Sequence, residues 1–347
     1  MKQFKVCFML VLASIVFGAG VSSAAPEVVT LKIAHFLPPS SIFHQKNLLP
    51  WCAKIEKESK GGLKCQIYPS NQLGGTPAQL FDQARDGVAD IVWTVLTYQA
   101  GRFTKSEVFE LPFMINSAEK GSQAFWEYVH KYSMDEFKGV HLIFTHVHDG
   151  SQLHFGSKSV KNLEDLKGLK IRAPGRIGAK TVAALGAIPI QMPIPSVPES
   201  LSKGVMDGAS LPWEVTTTLK LQEICKTHTE TAPNHAKHAN TIFAFAMNQA
   251  KYNSLSPELK KVIDQNSGVE MAKWVGKIWD EGALVSRKAS ADRKDAVINT
   301  LSDAEYKRWV KATSNVDDDW VKEVDAKGGN GRMLYNEAKA LLKKYKD

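Results

Sequence analysis

After residue 25 the sequence contains no apolar run long enough to cross a bilayer, no low-complexity tract and no internal repeat. Those absences exclude membrane-spanning helices and repeat architectures. Motifs that carry reaction chemistry are missing too. There is no G-x-S-x-G, H-E-x-x-H or C-x-x-C pattern, so a hydrolase elbow, a zinc protease helix and a dithiol redox centre are all unsupported. "GRIGAKT" looks like a phosphate loop, but Ala179 stands where a glycine belongs before the lysine, and the spacing from Gly175 is too short. "NQLGG" sets glycines before a helix and reads as a plain turn. Runs of one charge sign are also absent. The 44 Lys and Arg are interspersed with 36 Asp and Glu, as in "KIEKESKGG" and "DAEYKRWVK", which is the pattern of a solvated surface and not of a nucleic-acid interface.

What is present begins with a processing segment. Lys2 and Lys5 precede the apolar run "VCFMLVLASIVFGAGV", and "SSAAP" offers small residues for cleavage after Ala24 or Ala25. This is the layout of a secretory signal peptide over residues 1–25. Cys7 stands at the front of the apolar run and not behind it, which argues against a lipid anchor. Removal of the segment lowers the basic count from 44 to 42 against 36 acids, a net charge of about +6. The expectation is an exported, soluble protein.

Cysteine is scarce, with four in 347 residues. Cys7 leaves with the signal. Cys52 falls on a predicted helix and Cys65 on the strand after it, so in an oxidising compartment a disulfide is expected, against the alternative of two separate buried thiols. Cys225 is left over as a buried thiol.

Along the mature chain, strand-like and helix-like stretches alternate. "VTLKIAHF", "LKCQIYP" and "ADIVWTV" read as strands separated by the helical runs "FHQKNLLPWCAKIEKESKG" and "TPAQLFDQARDG". A helical patch near 117–135 and the strand "VHLIFTHVH" follow. The alternation restarts with "LKIRAP", "GRIGAKTVAALGA", "IPIQMP", "VPESLSKGV" and "DGASLPW". Such a pattern specifies βαβ units and a parallel sheet. Two α/β lobes are therefore predicted. Lobe I spans 26–149 and is completed by about 239–275, where "NTIFAFAMNQAKYNSL" returns to it. Lobe II spans 150–238 and is completed by about 276–347. "SPELKKVIDQNSGVEMAKWVGKIWDEGALVSRKAS" is long enough for an extended helix crossing both lobes, and the tail is helical by periodicity. Two lobes joined by several crossing segments form a clamshell, with a ligand site between facing strand ends.

Arg172 stands out in that frame. In "LKIRAPG", Leu169, Ile171 and Ala173 share one face of a strand and Lys170 and Arg172 the other, before Pro174 and Gly175 end it. An arginine at such a strand end needs an anion, and its rigid fork suits a carboxylate. Arg176, just beyond, is predicted to be a surface residue. His146 and His148 share one face of the strand 140–148, but spacing supplies no third metal ligand, so no metal site is predicted and the pair is read as satisfied or cleft-lining imidazoles. His228, His235 and His238 fall in a polar, loop-like segment and are expected to be solvated.

The stretches "IYPSNQLGG", "DGVADIVW", "FELPFM", "LEDLKGLKIRAPG", "LGAIPIQMP", "SLSKGVMDG" and "MNQAKYNSLSPELKKVID" together give the chain a resemblance to a known family. It resembles the solute-binding proteins of tripartite ATP-independent periplasmic (TRAP) transporters, of the dicarboxylate-binding type, through nearly all of the mature sequence. The resemblance implies a two-lobe α/β periplasmic-binding-protein clamshell (type II-like) with a long helix spanning both lobes. It implies a small organic-acid ligand, TRAP membrane permease partners, no cofactor and no enzymatic activity. The family's K-[IL]-R-x-P arginine, which grips the ligand carboxylate, falls on Arg172. Sialic-acid-binding members have a second arginine where this chain has Gln152, and an asparagine where it has Leu211, so a hydroxyl-rich sugar acid is not expected. Members with a Trp-Glu pair in the position of Trp213 and Glu214 bind keto or hydroxy acids, some beside a cation; a cation is not expected here. Strand ends add His35, Phe36, Thr94, Tyr98, Phe113 and Phe243 as cleft candidates. With Arg172, Gln152, Trp213 and Glu214, they suggest a monocarboxylate with an apolar or aromatic body. The rivals are a ligand-sensing module that docks a receptor and an exported enzyme on the same fold.

Overall fold

The computed structural model describes residues 28–345; the signal-peptide segment lies outside them. Two separate sheets carry the architecture. The first contains β1 (Val29–Ala34), β2 (Leu63–Tyr68), β3 (Ile91–Val95), β4 (Val140–Val147) and β10 (Ile242–Asn248), in the order β2-β1-β3-β10-β4. β1 runs parallel to β2 and β3, whereas β10 is antiparallel to both β3 and β4. β3 and β10 are buried along their whole length, which is why "IVWTV", interrupted only by Thr94, and "IFAFAM" read as near-continuous apolar runs. Helices α1 (Leu49–Glu58), α2 (Leu80–Arg85) and α3 (Ala118–Tyr128) belong to this lobe.

The second sheet contains β5 (Gln152–Phe155), β6 (Lys170–Ala173), β7 (Ile188–Gln191), β8 (Gly208–Leu211), β9 (Thr227–Glu230) and β11 (Val297–Thr300), in the order β11-β9-β5-β8-β6-β7. α4 (Arg176–Ala184) and α5 (Val197–Ser202) connect its parallel strands, and α6 (Glu214–Thr218) and α7 (Leu221–Ile224) follow β8. Strands β5, β9 and β11 were not anticipated. β9, "THTE", has no apolar alternation to reveal it, yet it is clamped between β5 and β11. This placement corrects the expectation for the later histidines. His228 on β9 and His238 are fully buried, His238 through a 2.9 Å hydrogen bond with the Ser210 hydroxyl, while His235 is half-buried against the Tyr306 ring.

The predicted single extended helix is two. α8 (Gln249–Ser254) and α9 (Pro257–Gln265) precede α10 (Val269–Ala291). The break sits at Asn266–Gly268. Gly268 takes φ +95°, which a glycine adopts without strain, and the Asn266 carbonyl accepts from the Trp51 indole at 3.0 Å instead of continuing a helix. α10 has 23 residues, so it is about 34 Å long and reaches both lobes. Asp280 on α10 caps α3 of lobe I, accepting from the backbone of Ala118 (2.7 Å) and Glu119 (3.0 Å) and from the Ser117 hydroxyl. Further along, Ser286 donates to the Glu214 carbonyl, and Arg287 makes a bidentate pair with Glu230, both in lobe II. One helix is thus pinned to both lobes by polar contacts as well as packing.

The C-terminal tail is divided between the lobes, which corrects the expectation that it completes lobe II alone. α11 (Asp303–Ala312) joins the second lobe, with Glu305 accepting from Leu163 N–H and Trp309 in that lobe's core. α12 (Ser314–Ala326) and α13 (Gly331–Lys344) return to the first. The Trp320 indole donates to the Thr104 carbonyl, and Tyr132 and Tyr345 tie α13 to the α3 region. Cys52 on α1 and Cys65 on β2 are bridged, with their Cα atoms 5.9 Å apart across a separation of 13 residues. A loop of that size stabilises by about 3 kcal/mol. Cys225 is a buried free thiol.

Candidate functional site

Two antiparallel crossings floor the space between the lobes. Residues 148–151 leave β4 for β5, residues 239–241 return to β10, and Ser151 N–H to the Ala239 carbonyl at 2.8 Å holds the crossings together. Above them lies a narrow, nearly closed cavity of about 30 Å³. Lobe I contributes Phe36, Leu37, Trp93, Val95 and Tyr98; lobe II contributes Arg172, Ile194, Pro212, Glu214 and Val215; His148, Thr241 and Phe243 form the floor, and Trp279 of α10 closes one side.

Arg172 is the charge in this cavity. β6 places it between β7 and β8, opposite Ile190 and Ala209, and Pro174–Gly175 ends the strand directly after. Its side chain is 2 % exposed. Nε donates to the Met192 carbonyl at 3.0 Å and Nη1 to the Ser210 carbonyl at 2.9 Å, and the Tyr98 hydroxyl lies beside it. These partners are neutral, and none among the described residues is a carboxylate. Burial pulls its pKa below the ordinary arginine value, opposed by Tyr98. A guanidinium starts so high that it stays charged, so the cavity holds one uncompensated positive charge, a costly arrangement.

The other titratable groups at the cavity do not cancel it. Burial pushes the Glu214 carboxyl up to about 8, against hydrogen bonds from Thr218 and the Ile42 backbone, so it is neutral at pH 7. Burial also holds His148 well below the usual histidine range, helped by the nearby positive charge of Arg172. His146, one residue pair earlier on β4, is satisfied inside the core. It accepts from the Trp93 indole at 2.8 Å, and its Nδ1–H donates to the Val147 carbonyl at 3.1 Å.

Aromatic rings supply the walls. Trp93 lies parallel to Phe36 (4.9 Å between centroids, 8°) and to Phe243 (5.3 Å, 5°). Trp279 leans at 52° over Phe243, 5.3 Å away. Ring faces and edges of this kind favour flat apolar guests, each contact adding roughly 0.5–1.5 kcal/mol beyond area burial.

The structure brings together Arg172, Glu214, Phe36, Tyr98 and Phe243 from the predicted set. The other five stand apart. His35 pairs with His44 (2.9 Å) behind the aromatic wall, and Thr94 points to the opposite side of β3 with its hydroxyl unpartnered. Gln152 accepts from Thr231 N–H at 3.2 Å, and the Trp213 indole donates to Glu230 at 3.1 Å. Phe113 packs edge-on against Tyr306 at an outer cavity. The physical reason is parity. On β3 residues 93 and 95 share the cavity face and 94 the other, and past the end of β1 it is Phe36 and not His35 that turns inward. The same alternation, applied with the correct phase, would have found Trp93 and Val95. His148 shared a predicted strand face with His146 but was not chosen, and Thr241 and Trp279 carried no local signal, since only the tertiary fold brings the crossings and α10 to the cavity.

Arg176 is not the surface residue expected. It opens α4 with its side chain 21 % exposed and is held by Glu107 of lobe I, Nε to Oε1 at 2.7 Å with a second contact to Oε2, and by Glu323 of α12. Lys180 joins Glu323 as well. Beside this seam Gly175 touches Thr97; a Cβ there would stand 2.4 Å from the Thr97 methyl and 2.8 Å from its carbonyl oxygen. Only glycine lets the lobes approach so closely at that point.

Residues 33–323 match the model of the family described as bacterial extracellular solute-binding protein, family 7. The chain belongs to that family, the TRAP solute-binding proteins. Among solved structures, it is similar to a TRAP solute-binding protein of Rhodoferax ferrireducens in complex with copurified benzoate, at 42 % identity and TM-score 0.90, covering 92 % of this chain and 99 % of that one. A marine metagenome TRAP solute-binding protein specific for aromatic acid ligands, in complex with 3-hydroxybenzoate, is equally similar at 42 % and 0.90, covering 92 % and 100 %. A TRAP protein of Bordetella bronchiseptica with bound (R)- and (S)-mandelate is 30 % identical, with TM-score 0.84 and coverage of 91 % and 99 %. TRAP solute-binding proteins take up small organic acids in the periplasm and work with a membrane permease; the relatives are binding proteins and not enzymes.

Proposed function

We propose that this TRAP solute-binding protein is exported to the periplasm and there captures a small monocarboxylic acid with an aromatic or apolar body. It acts as a monomer without catalytic chemistry and delivers the acid to its membrane permease. The observation that carries this reading is the buried Arg172 guanidinium, which faces an aromatic-walled cavity with no carboxylate partner among the described residues. A ligand carboxylate supplies that counter-charge through charge-assisted hydrogen bonds, each worth about 1.5–3 kcal/mol. The rings of Phe36, Trp93, Phe243 and Trp279 enclose the body of the acid.

Charge count narrows the ligand further. With Glu214 and His148 neutral at pH 7, the cavity compensates a single negative charge. A second carboxylate would be desolvated against apolar walls without a partner, at a cost of several kcal/mol. The benzoate, 3-hydroxybenzoate and mandelate bound by the similar proteins support the same class. Contacts to both lobes favour the closed arrangement, so capture and closure are one event.

A thermal-shift panel of the mature protein tests this. Benzoate, 3-hydroxybenzoate and mandelate are expected to raise the melting temperature by several degrees, since a ligand at a hundred times its Kd stabilises by about 2.7 kcal/mol. Succinate and glucuronate are expected to give no shift. A response to the dicarboxylate or sugar acid alone would overturn the proposal.

A further inference from the structure

We infer that His148 is a second anchor for the ligand, its Nε2–H donating to the same carboxylate that Arg172 holds. This rests on the function proposed above and gives a role to a residue that strand periodicity placed only on one face with His146. His148 is 1 % exposed and lines the cavity, and its Nε2 is buried without a hydrogen-bond partner. Its other nitrogen is committed. The Gly150 backbone N–H reaches Nδ1 at 2.9 Å, and an amide N–H can only donate, so Nδ1 offers its lone pair. A neutral imidazole has one proton, which must then sit on Nε2. The backbone turn at Gly150 (φ +92°) therefore fixes the tautomer and leaves a donor facing a cavity.

The position of this donor matches a carboxylate. His148 and Arg172 line the same small cavity, so a carboxylate bound there lies within reach of both. Glu214 also lines an outer groove with Ser40, Ile42 and Gly282 that Arg172 does not reach, which sets it towards a different wall. A neutral donor beside Arg172 adds a hydrogen bond to the anion without adding a second charge, so the site remains matched to a monoanion. A cationic residue at this point would instead favour a dianion. The 148–151 crossing is also one of the links between the lobes, so a ligand held from it touches their junction.

Isothermal titration of the mature protein with benzoate tests the assignment. His148→Asn keeps an oxygen where Nδ1 accepts from Gly150 and removes the donor at Nε2. It is expected to weaken benzoate binding about ten- to a hundredfold, to weaken 3-hydroxybenzoate by the same factor, and to leave the ligand-free melting temperature within about 2 °C. His148→Gln, which extends an amide N–H towards the Nε2 position, is expected to recover part of the loss, and it is the variant to compare if the asparagine protein does not fold. In a cycle with Arg172→Lys the two losses are expected to be non-additive, as for two donors on one carboxylate. Benzoate binding by His148→Asn within twofold of the unaltered protein would overturn the inference, as would a loss confined to 3-hydroxybenzoate, which would move the donor to the ring hydroxyl. Undiminished binding by Arg172→Ala, or no benzoate binding by the unaltered protein, would overturn the underlying function instead.

Discussion

Arg172 and Arg176 are four residues apart, on either side of Pro174–Gly175, and the two regions they occupy treat the same charge in opposite ways. In the cleft, Arg172 is buried with two carbonyls and a tyrosine hydroxyl for company. At the seam, Arg176 is surrounded by carboxylates, one from lobe I and one from α12, which itself rests on lobe I. The seam is a finished electrostatic structure that holds the lobes together. The cleft is an unfinished one, with its positive charge arranged but not neutralised. A charge the fold completes is structural, and a charge the fold buries and leaves open is a binding site.

The comparison can be broken by exchanging the roles of the two arginines. Arg172→Ala should give the largest effect, complete loss of the benzoate-induced thermal shift, with the ligand-free melting temperature within about 2 °C because an unpaired buried charge contributes little to stability. Arg176→Ala should do the reverse. It strands Glu107, which is 4 % exposed, and is expected to cost roughly 2 kcal/mol, or about 5 °C, while the shift with benzoate persists. Differential scanning fluorimetry of both variants with and without benzoate would show it, and matching behaviour of the two would dissolve the distinction.

The smallest effect concerns Glu214, whose carboxyl is raised by burial from 4.5 to about 8. A raised folded pKa means that its contribution to stability is full below pH 4.5 and is lost as pH rises through about 8. In the ligand-free cavity it is neutral below that pH and negative above it, so binding of an anion should be constant near neutrality and weaken on the alkaline side, by roughly fourfold at half a pH unit past the midpoint. Titrations of benzoate between neutral and alkaline pH should show this decline in the unaltered protein and a flat profile in Glu214→Gln. A decline that survives the substitution would assign it to another group.

Much of this was legible in the chain. Alternating strands and helices announced two α/β lobes, the Cys52–Cys65 loop announced a bridge, and the strand that stops at Pro174 announced Arg172, to which family resemblance added a role. What was hidden has identifiable causes. The phase of short buried strands is ambiguous when both faces are covered, so His35 was chosen along with Phe36, and Thr94 was chosen where Trp93 and Val95 face the cavity. β9 is polar because its groups pair within the protein, Glu230 with Arg287 and Trp213, and His228 with His154. Trp279 reaches the cavity, and Glu323 reaches Arg176, only through tertiary placement that no local pattern encodes.

The most direct measurement is a crystal structure of the protein grown with benzoate. The ligand is expected between the lobes, its carboxylate oxygens within about 3.2 Å of Arg172 guanidinium nitrogens and its ring among Phe36, Trp93, Phe243 and Trp279. Benzoate bound outside this cavity, or inside it with the carboxylate turned away from Arg172, would contradict the account.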